Sequence, residues 1–250
     1  AFADVLSKSC GTNLSDIHKT RAQEMVALLY DMYPQDEQVK YYLGSVLANT
    51  GNFLGMNRLT PDFENASLLE RVFMHFNMDY LSVPSDGGAR FFPAQKEIYD
   101  SLSRPYFSYS APTSMGKSFM MRAFIKQQIM EGTKKNFALL IPTKALINEV
   151  TSELIESLTT LLKETDYRIV TSSGSMALET KHNYIFVLTP ERMLYILIDD
   201  PDLMIDYLFV DEAHKISSGD KRSAFYYKVI NKLEERNNNA HIILDRKSVV

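Results

Sequence analysis

Apolar positions in the first third of the chain recur at helical spacing. From about Asp16 to Tyr33 the residues Ile17, Met25, Leu28, Leu29 and Met32 follow that period, and Pro34 then breaks the run. A second helix is predicted over Glu37 to Asn49, with Gly51 as its stop signal. A third, from about Ala66 to Leu81, carries Leu68, Leu69, Val72, Phe73, Phe76 and Tyr80. Pro84-Ser85-Asp86-Gly87-Gly88 reads as a loop, and it bounds an all-helical N-terminal extension, residues 1–88.

From Ala89 the rhythm changes to short apolar runs alternating with longer helical patterns. Strands are predicted at Tyr106–Tyr109, Phe137–Ile141, Tyr167–Val170, Tyr184–Leu188, Tyr207–Val210 and His241–Leu244. Helices are predicted over 94–103, 117–131, 144–163, 190–198 and 222–236. Apolar strands of this kind are buried on both faces. The expected fold is therefore α/β, a mostly parallel sheet covered by helices on both sides, over residues 89–244. Ligands of such folds sit beyond the carboxyl ends of the strands.

Composition changes this picture little. Hydrophobic residues make up 45% and charged residues 23%, ordinary values for a soluble chain with a sizeable core. No apolar run reaches the roughly 18–20 residues of a membrane span, so an intracellular, cytoplasmic protein without membrane partners is expected. A single cysteine, Cys10, excludes an internal disulfide framework and a cysteine-based zinc site. The net charge of −4 gives no bulk attraction to nucleic acid. The acidic excess is local: residues 1–88 hold six Lys/Arg against eleven Asp/Glu, and the remainder is balanced. A protein that grips phosphates through loops and helix N-termini needs no high pI.

Two stretches carry chemistry. Ala111 to Ser118 reads APTSMGKS between a predicted strand and a predicted helix. Its backbone amides and the helix N-terminus would form a phosphate cradle from Pro112, Thr113, Ser114, Met115, Gly116, Lys117 and Ser118. Lys117 supplies a point charge for the β- and γ-phosphates, and the Ser118 hydroxyl suits Mg²⁺. Ala111 stands where the general pattern has Gly, and Met115 puts a bulky side chain in the loop. About 90 residues later Val210-Asp211-Glu212-Ala213-His214 closes a strand. Asp211 would hold Mg²⁺ opposite Ser118, and Glu212 would orient and activate the attacking water. Together the two stretches point to ATP hydrolysis.

With these residues in place, the chain resembles the first RecA-like domain of superfamily 2 helicases of the DEAD/DEAH-box type. Asp211-Glu212-Ala213-His214 spells that family's DEAH motif. Pro142-Thr143-Lys144-Ala145-Leu146 is similar to its PTRxL motif, with Lys144 in place of Arg, a point charge for a fork. Thr189-Pro190-Glu191-Arg192 matches a second strand-binding motif, and Thr171-Ser172-Ser173-Gly174 takes the place of a weaker one. Phe91 to Gln95 is similar to an adenine-reading motif. The resemblance implies a P-loop domain with ATP and Mg²⁺ as cofactors, and Gln95 on the adenine. It implies nucleic-acid contacts, to DNA or RNA, from Pro142, Thr143, Lys144, Gly174, Thr189, Pro190, Glu191 and Arg192. It makes His214 the residue that couples ATP state to later motifs, and it implies a second RecA-like domain as partner. The loop and TPER incline towards the branch that includes the Ski2-like DEAH enzymes.

Where the family's Ser-Ala-Thr motif should follow, the chain reads Asp245-Arg246-Lys247-Ser248-Val249-Val250. These six residues match the translation of a common sequencing adapter, and we expect 245–250 to be a non-native tail. A fragment ending there is expected to turn over little ATP alone. Three functions stand at this point. One is the ATPase half of a helicase or translocase. Another is a duplex-DNA translocase subunit of a restriction or defence system. The third is a nucleotide-gated module that docks a protein partner through residues 1–88.

Overall fold

The computed structural model describes residues 1–11, 13–52, 68–112, 115–172, 181–216 and 222–247. It divides into two compact units, Ala1–Lys96 and Glu97–Val250.

Among the described residues the first unit holds α1 (Phe2–Ser7), α2 (Ser15–Met32), α3 (Glu37–Asn49) and α4 (Leu68–Tyr80). Ala22 and Val26 of α2 pack with Leu43, Val46 and Leu47 of α3 and with Leu81. The α3 boundaries follow from its caps. Asp36 accepts from the amides of Gln38 (2.8 Å) and Val39 (3.1 Å), satisfying N-terminal donors that the helix cannot pair itself. At the other end the Asn52 amide reaches the Leu47 carbonyl and the Gly51 amide reaches that of Ala48. Gly51, at φ +70°, supplies the left-handed residue this Schellman ending requires. The segment 84–88, expected as a loop, is corrected by the structure. Pro84 and Ser85 make only the turn, and β1 (Ser82–Val83) pairs antiparallel with β2 (Asp86–Arg90).

The next helix, α5 (Pro93–Ser101), contains the division between the units. The second unit continues with β3 (Tyr106–Ala111), α6 (Lys117–Met130), β4 (Phe137–Leu140), α7 (Lys144–Glu164) and β5 (Tyr167–Val170). It ends with β6 (Asn183–Leu188), α8 (Pro190–Asp199), β7 (Tyr207–Val210), a 3-10 turn (Ala213–Ile216), α9 (Ser223–Arg236) and β8 (His241–Lys247). The six strands form one sheet in the order β3-β8-β7-β4-β6-β5. Every pairing in it is parallel. β8 runs on through Lys247, inside the stretch read as a tail, with Asp245 beside Tyr109 of β3.

The central strands β4 and β7 are buried at every position because both of their faces are covered. Ala138, Leu140, Phe186, Leu188, Leu208 and Val210 face one side, where Met193 and Leu197 of α8 and Tyr226, Val229 and Leu233 of α9 pack on them. The alternate residues face the other side. There Phe124 of α6 meets the rings of Tyr207 and Phe209 edge-on, at 5.1 and 6.2 Å between centroids. At the amino edge Asn136 ties three strands together. Its side chain donates to the Met204 carbonyl and accepts from the Tyr184 amide, and its own amide donates to Asp206. Among the described residues, no helix is long and apolar enough to cross a membrane.

Candidate active site and nucleic-acid edge

β3 delivers the chain to the carboxyl edge at Ala111, which is wholly buried. A side chain as small as Ala fits there without cost, which accounts for Ala in place of Gly. Thr113 and Ser114 lie outside the described residues. Met115 re-enters half-buried, its amide donating to the Pro112 carbonyl at 3.1 Å. Gly116 then precedes α6 at φ +74°, a conformation that a Cβ opposes. This left-handed turn starts the helix at Lys117, so the amides of its first turn lie beside the Lys117 and Ser118 side chains.

Lys117, Ser118 and Asp211 line one small pocket at the carboxyl edge, together with Tyr109 and Asp245. Of the sequence-predicted catalytic groups, Lys117 and Asp211 line this pocket and Glu212 is not among its lining residues. Asp211 sits at the end of β7, where its amide donates to the Leu140 carbonyl at 3.1 Å. Glu212 follows at φ +50°, an uncommon conformation for a side chain of its size and a place where backbone strain is held. Its carboxylate is ion-paired with Lys215. His214 is exposed on the following turn.

The electrostatics are unusual for a site built around a lysine. Lys117 Nζ lies 2.9 Å from Asp245 Oδ1, and the two side chains are 14% and 13% exposed. Burial nevertheless pushes the Asp245 carboxyl up to about 6, because the neighbouring Asp211 and Glu212 charges oppose the help from Lys117. Asp211 is likewise pushed above the usual carboxylate range, first by burial and then by Glu212. Tyr109 is raised by burial and by the same acids. Asp245 is thus paired with Lys117 and Glu212 with Lys215, and both ammonium groups act on Asp211. Asp245, read only as part of the tail, is a site neighbour that sequence reasoning missed. Its position depends on the pairing of β8 with β3, a long-range fact with no local signal.

Hard oxygen donors at Ser118 and Asp211 suit a small divalent cation that takes its other ligands from phosphate and water. Among the described residues no group of three or more His, Cys, Asp or Glu is arranged to hold a metal by protein alone. The donor set thus fits Mg²⁺ arriving with a nucleotide.

The neighbouring helix starts lie along the same edge. Thr143 is the N-cap of α7 and accepts from the Leu146 amide, leaving Lys144 exposed as the first helical residue. Thr189 is the N-cap of α8 with Pro190 at the first position, but its hydroxyl makes no capping bond. Arg192 donates to the Thr171 carbonyl at 3.1 Å. Glu191 is held by Arg222: Arg222 Nη2 donates at 3.0 Å and Nε closes a second bond. Burial alone would raise Glu191, yet the Arg222 bonds leave its carboxyl below the usual range. Gly174 lies outside the described residues. Gln95 belongs to the first unit, where it is buried and its Oε1 accepts from the Phe92 amide at 2.8 Å.

Comparison with known proteins gives the family and the fold. A sequence profile described as DEAD/DEAH box helicase matches residues 92–244. The chain is 32% identical over 120 residues to the mouse (Mus musculus) protein named probable ATP-dependent RNA helicase DDX52, covering 43% of this chain and 19% of that protein. The cattle (Bos taurus) protein of the same name is also 32% identical, with 20% of its length covered. The chain therefore spans about a fifth of the curated relatives it matches. Among solved structures, the DUF1998 helicase MrfA bound to DNA superposes with a TM-score of 0.54 at 15% identity, over 67% of this chain and 26% of that one. Another MrfA structure gives 0.52 over 66% and 28%. These likenesses concern the fold.

Proposed function

The chain belongs to the DEAD/DEAH box helicase family, and from that premise we propose that it is the ATP-binding RecA-like domain of a nucleic-acid-dependent ATPase that moves on or unwinds its strand. The domain takes residues 89–244, behind the helical extension 1–88. The observation that carries this reading is the convergence of Lys117, Ser118 and Asp211 on one pocket. The helix starts of α7 and α8 stand along the same edge.

In this reading the loop Pro112 to Ser118 and the N-terminus of α6 wrap the phosphates of ATP, and Lys117 neutralises their outer charge. Ser118 and Asp211 would hold Mg²⁺, which spreads the charge developing on the γ-phosphoryl group. Glu212 orients the attacking water and accepts its proton, and Gln95 reads the adenine. Catalysis of this kind is almost entirely positioning and charge stabilisation. Thr143, Lys144, Gly174, Thr189 and Arg192 hold successive phosphates of a strand, with Pro142 and Pro190 shaping the two helix starts. Contacts of this sort read the backbone and not the bases. The curated relative is named a probable ATP-dependent RNA helicase, so RNA is the strand we assign. His214 passes the nucleotide state to the second RecA-like domain in the longer protein.

Strand-stimulated ATP turnover by the full-length protein tests this directly. Glu212→Gln should lower it by on the order of 10²–10³, the usual cost of losing one placed catalytic group. Turnover equal to the parent would remove Glu212 from the mechanism.

A further inference from the structure

Arg222 has no place in the functional reading so far, yet its guanidinium touches both helix starts of the carboxyl edge. Two of its N–H groups grip the Glu191 carboxylate at the start of α8. Nη1 donates to the Pro142 carbonyl at 2.8 Å, one residue before the Thr143 cap of α7. The three acceptors use the planar fork of an arginine, which no lysine can reproduce. Arg222 also immediately precedes α9, and there Ser223 Oγ donates to the Lys215 carbonyl at 3.2 Å. Lys215 is in turn ion-paired with Glu212. A short chain of contacts thus runs from the acid beside the phosphate pocket to both helix N-termini.

We propose that Arg222 is a positioning residue that holds the helix starts of α7 and α8 at the spacing of successive strand phosphates and links them to the Glu212 segment. This rests on the reading that these helix starts hold a nucleic-acid backbone. It also reassigns Glu191, whose carboxylate would repel phosphate: Glu191 anchors Arg222 and does not touch the strand. A cation bound to a carboxylate and a carbonyl at once fixes two elements relative to each other. A pair that remains one-third exposed contributes little to overall stability. Its effect should therefore appear in strand binding far more than in melting temperature.

The test uses the full-length protein, a fluorescein-labelled oligouridine and its oligothymidine counterpart, at a temperature well below melting. Arg222→Gln should weaken oligouridine binding about tenfold, because small misplacements of contact groups are costly. The strand concentration for half-maximal ATP turnover should rise by the same factor, with a smaller change in turnover at saturating strand. Arg222→Lys should recover less than half of the loss, since it keeps the charge and loses the fork. Glu191→Gln should match Arg222→Gln, and the double variant should be no worse than either, as expected of groups that act as a unit. Full rescue by Arg222→Lys, or additive losses in the double variant, would overturn the proposal. Lys144→Ala separates the two levels of failure. If it weakens binding and Arg222→Gln does not, the positioning role is wrong and the strand reading stands. If neither weakens binding to either oligonucleotide, the strand reading falls and takes Arg222 with it.

Discussion

Lys117 shows how much a local motif can and cannot reveal. The spacing Gly116-Lys117-Ser118 after an apolar run was enough to expect its ammonium at a strand end, and Lys117 lines one pocket with Ser118 and Asp211. Its capture by Asp245 could not be read, because that contact needs β8 alongside β3 with Asp245 level with Tyr109. Two predictions follow from the pair. A lysine held by a carboxylate is available to phosphate only in the fraction of molecules where the pair is open, and apparent affinity falls by that fraction. Asp245→Ser should therefore tighten Mg·ATP binding, measured by titration calorimetry, by about tenfold if the pair is closed nine-tenths of the time. The second concerns pH. The Asp245 carboxyl titrates at about 6 in the folded chain against 3.8 for an ordinary aspartate. Between those values the folded state holds a proton that the unfolded state has released, so stability falls as pH rises through the window. The loss is complete only about a unit above pH 6 and amounts to roughly 3 kcal/mol at most. Asp211 is shifted in the same direction and adds to the fall. Thermal melting across this range should show a decline that Asp245→Asn makes shallower; an equally steep decline in the variant would contradict the assignment.

At the scale of elements, most boundaries were legible because each carries its own chemistry. Asp36 and Gly51 fence α3, Thr143 opens α7, and Thr189-Pro190 opens α8. α1 and the β1–β2 hairpin were not legible. α1 has only six residues, too few to display a period, and Ser45 and Asn49 of α3 bond to its Asp4 and Ser7. In the hairpin Gly87 and Gly88 look like loop residues, and only pairing with Ser82–Val83 makes them a strand. Gly51 gives the sharpest element-level prediction. A Cβ there would stand 2.7 Å from the Pro93 ring, on a backbone already at φ +70°. Gly51→Ala should therefore lower stability by about 1–3 kcal/mol, read from urea unfolding of the chain. An unchanged midpoint would mean that the α3 ending is not built this way.

For the molecule as a whole, alternating strands and helices revealed the sheet's class but not its order. Parallel pairing follows from helices between strands; β3-β8-β7-β4-β6-β5 does not, because strand order is decided by which buried faces match across the sheet. What mattered for function survived that gap, since any doubly covered parallel sheet sends its strand ends to one edge. Lys117, Asp211, Thr143 and Thr189 were all expected at that edge before the order was known. The division after Lys96 places Gln95 in a different compact unit from the phosphate pocket, which local pattern did not indicate. Whether Ala111–Ser118 is the phosphate-binding half of an ATP site is decided by equilibrium binding of Mg·ATP to the full-length protein and its Lys117→Ala variant. The variant should lose at least about tenfold in affinity, the least that removing a buried charge–phosphate contact should cost, with adenosine affinity retained. Equal Mg·ATP affinity in the two proteins would contradict that assignment.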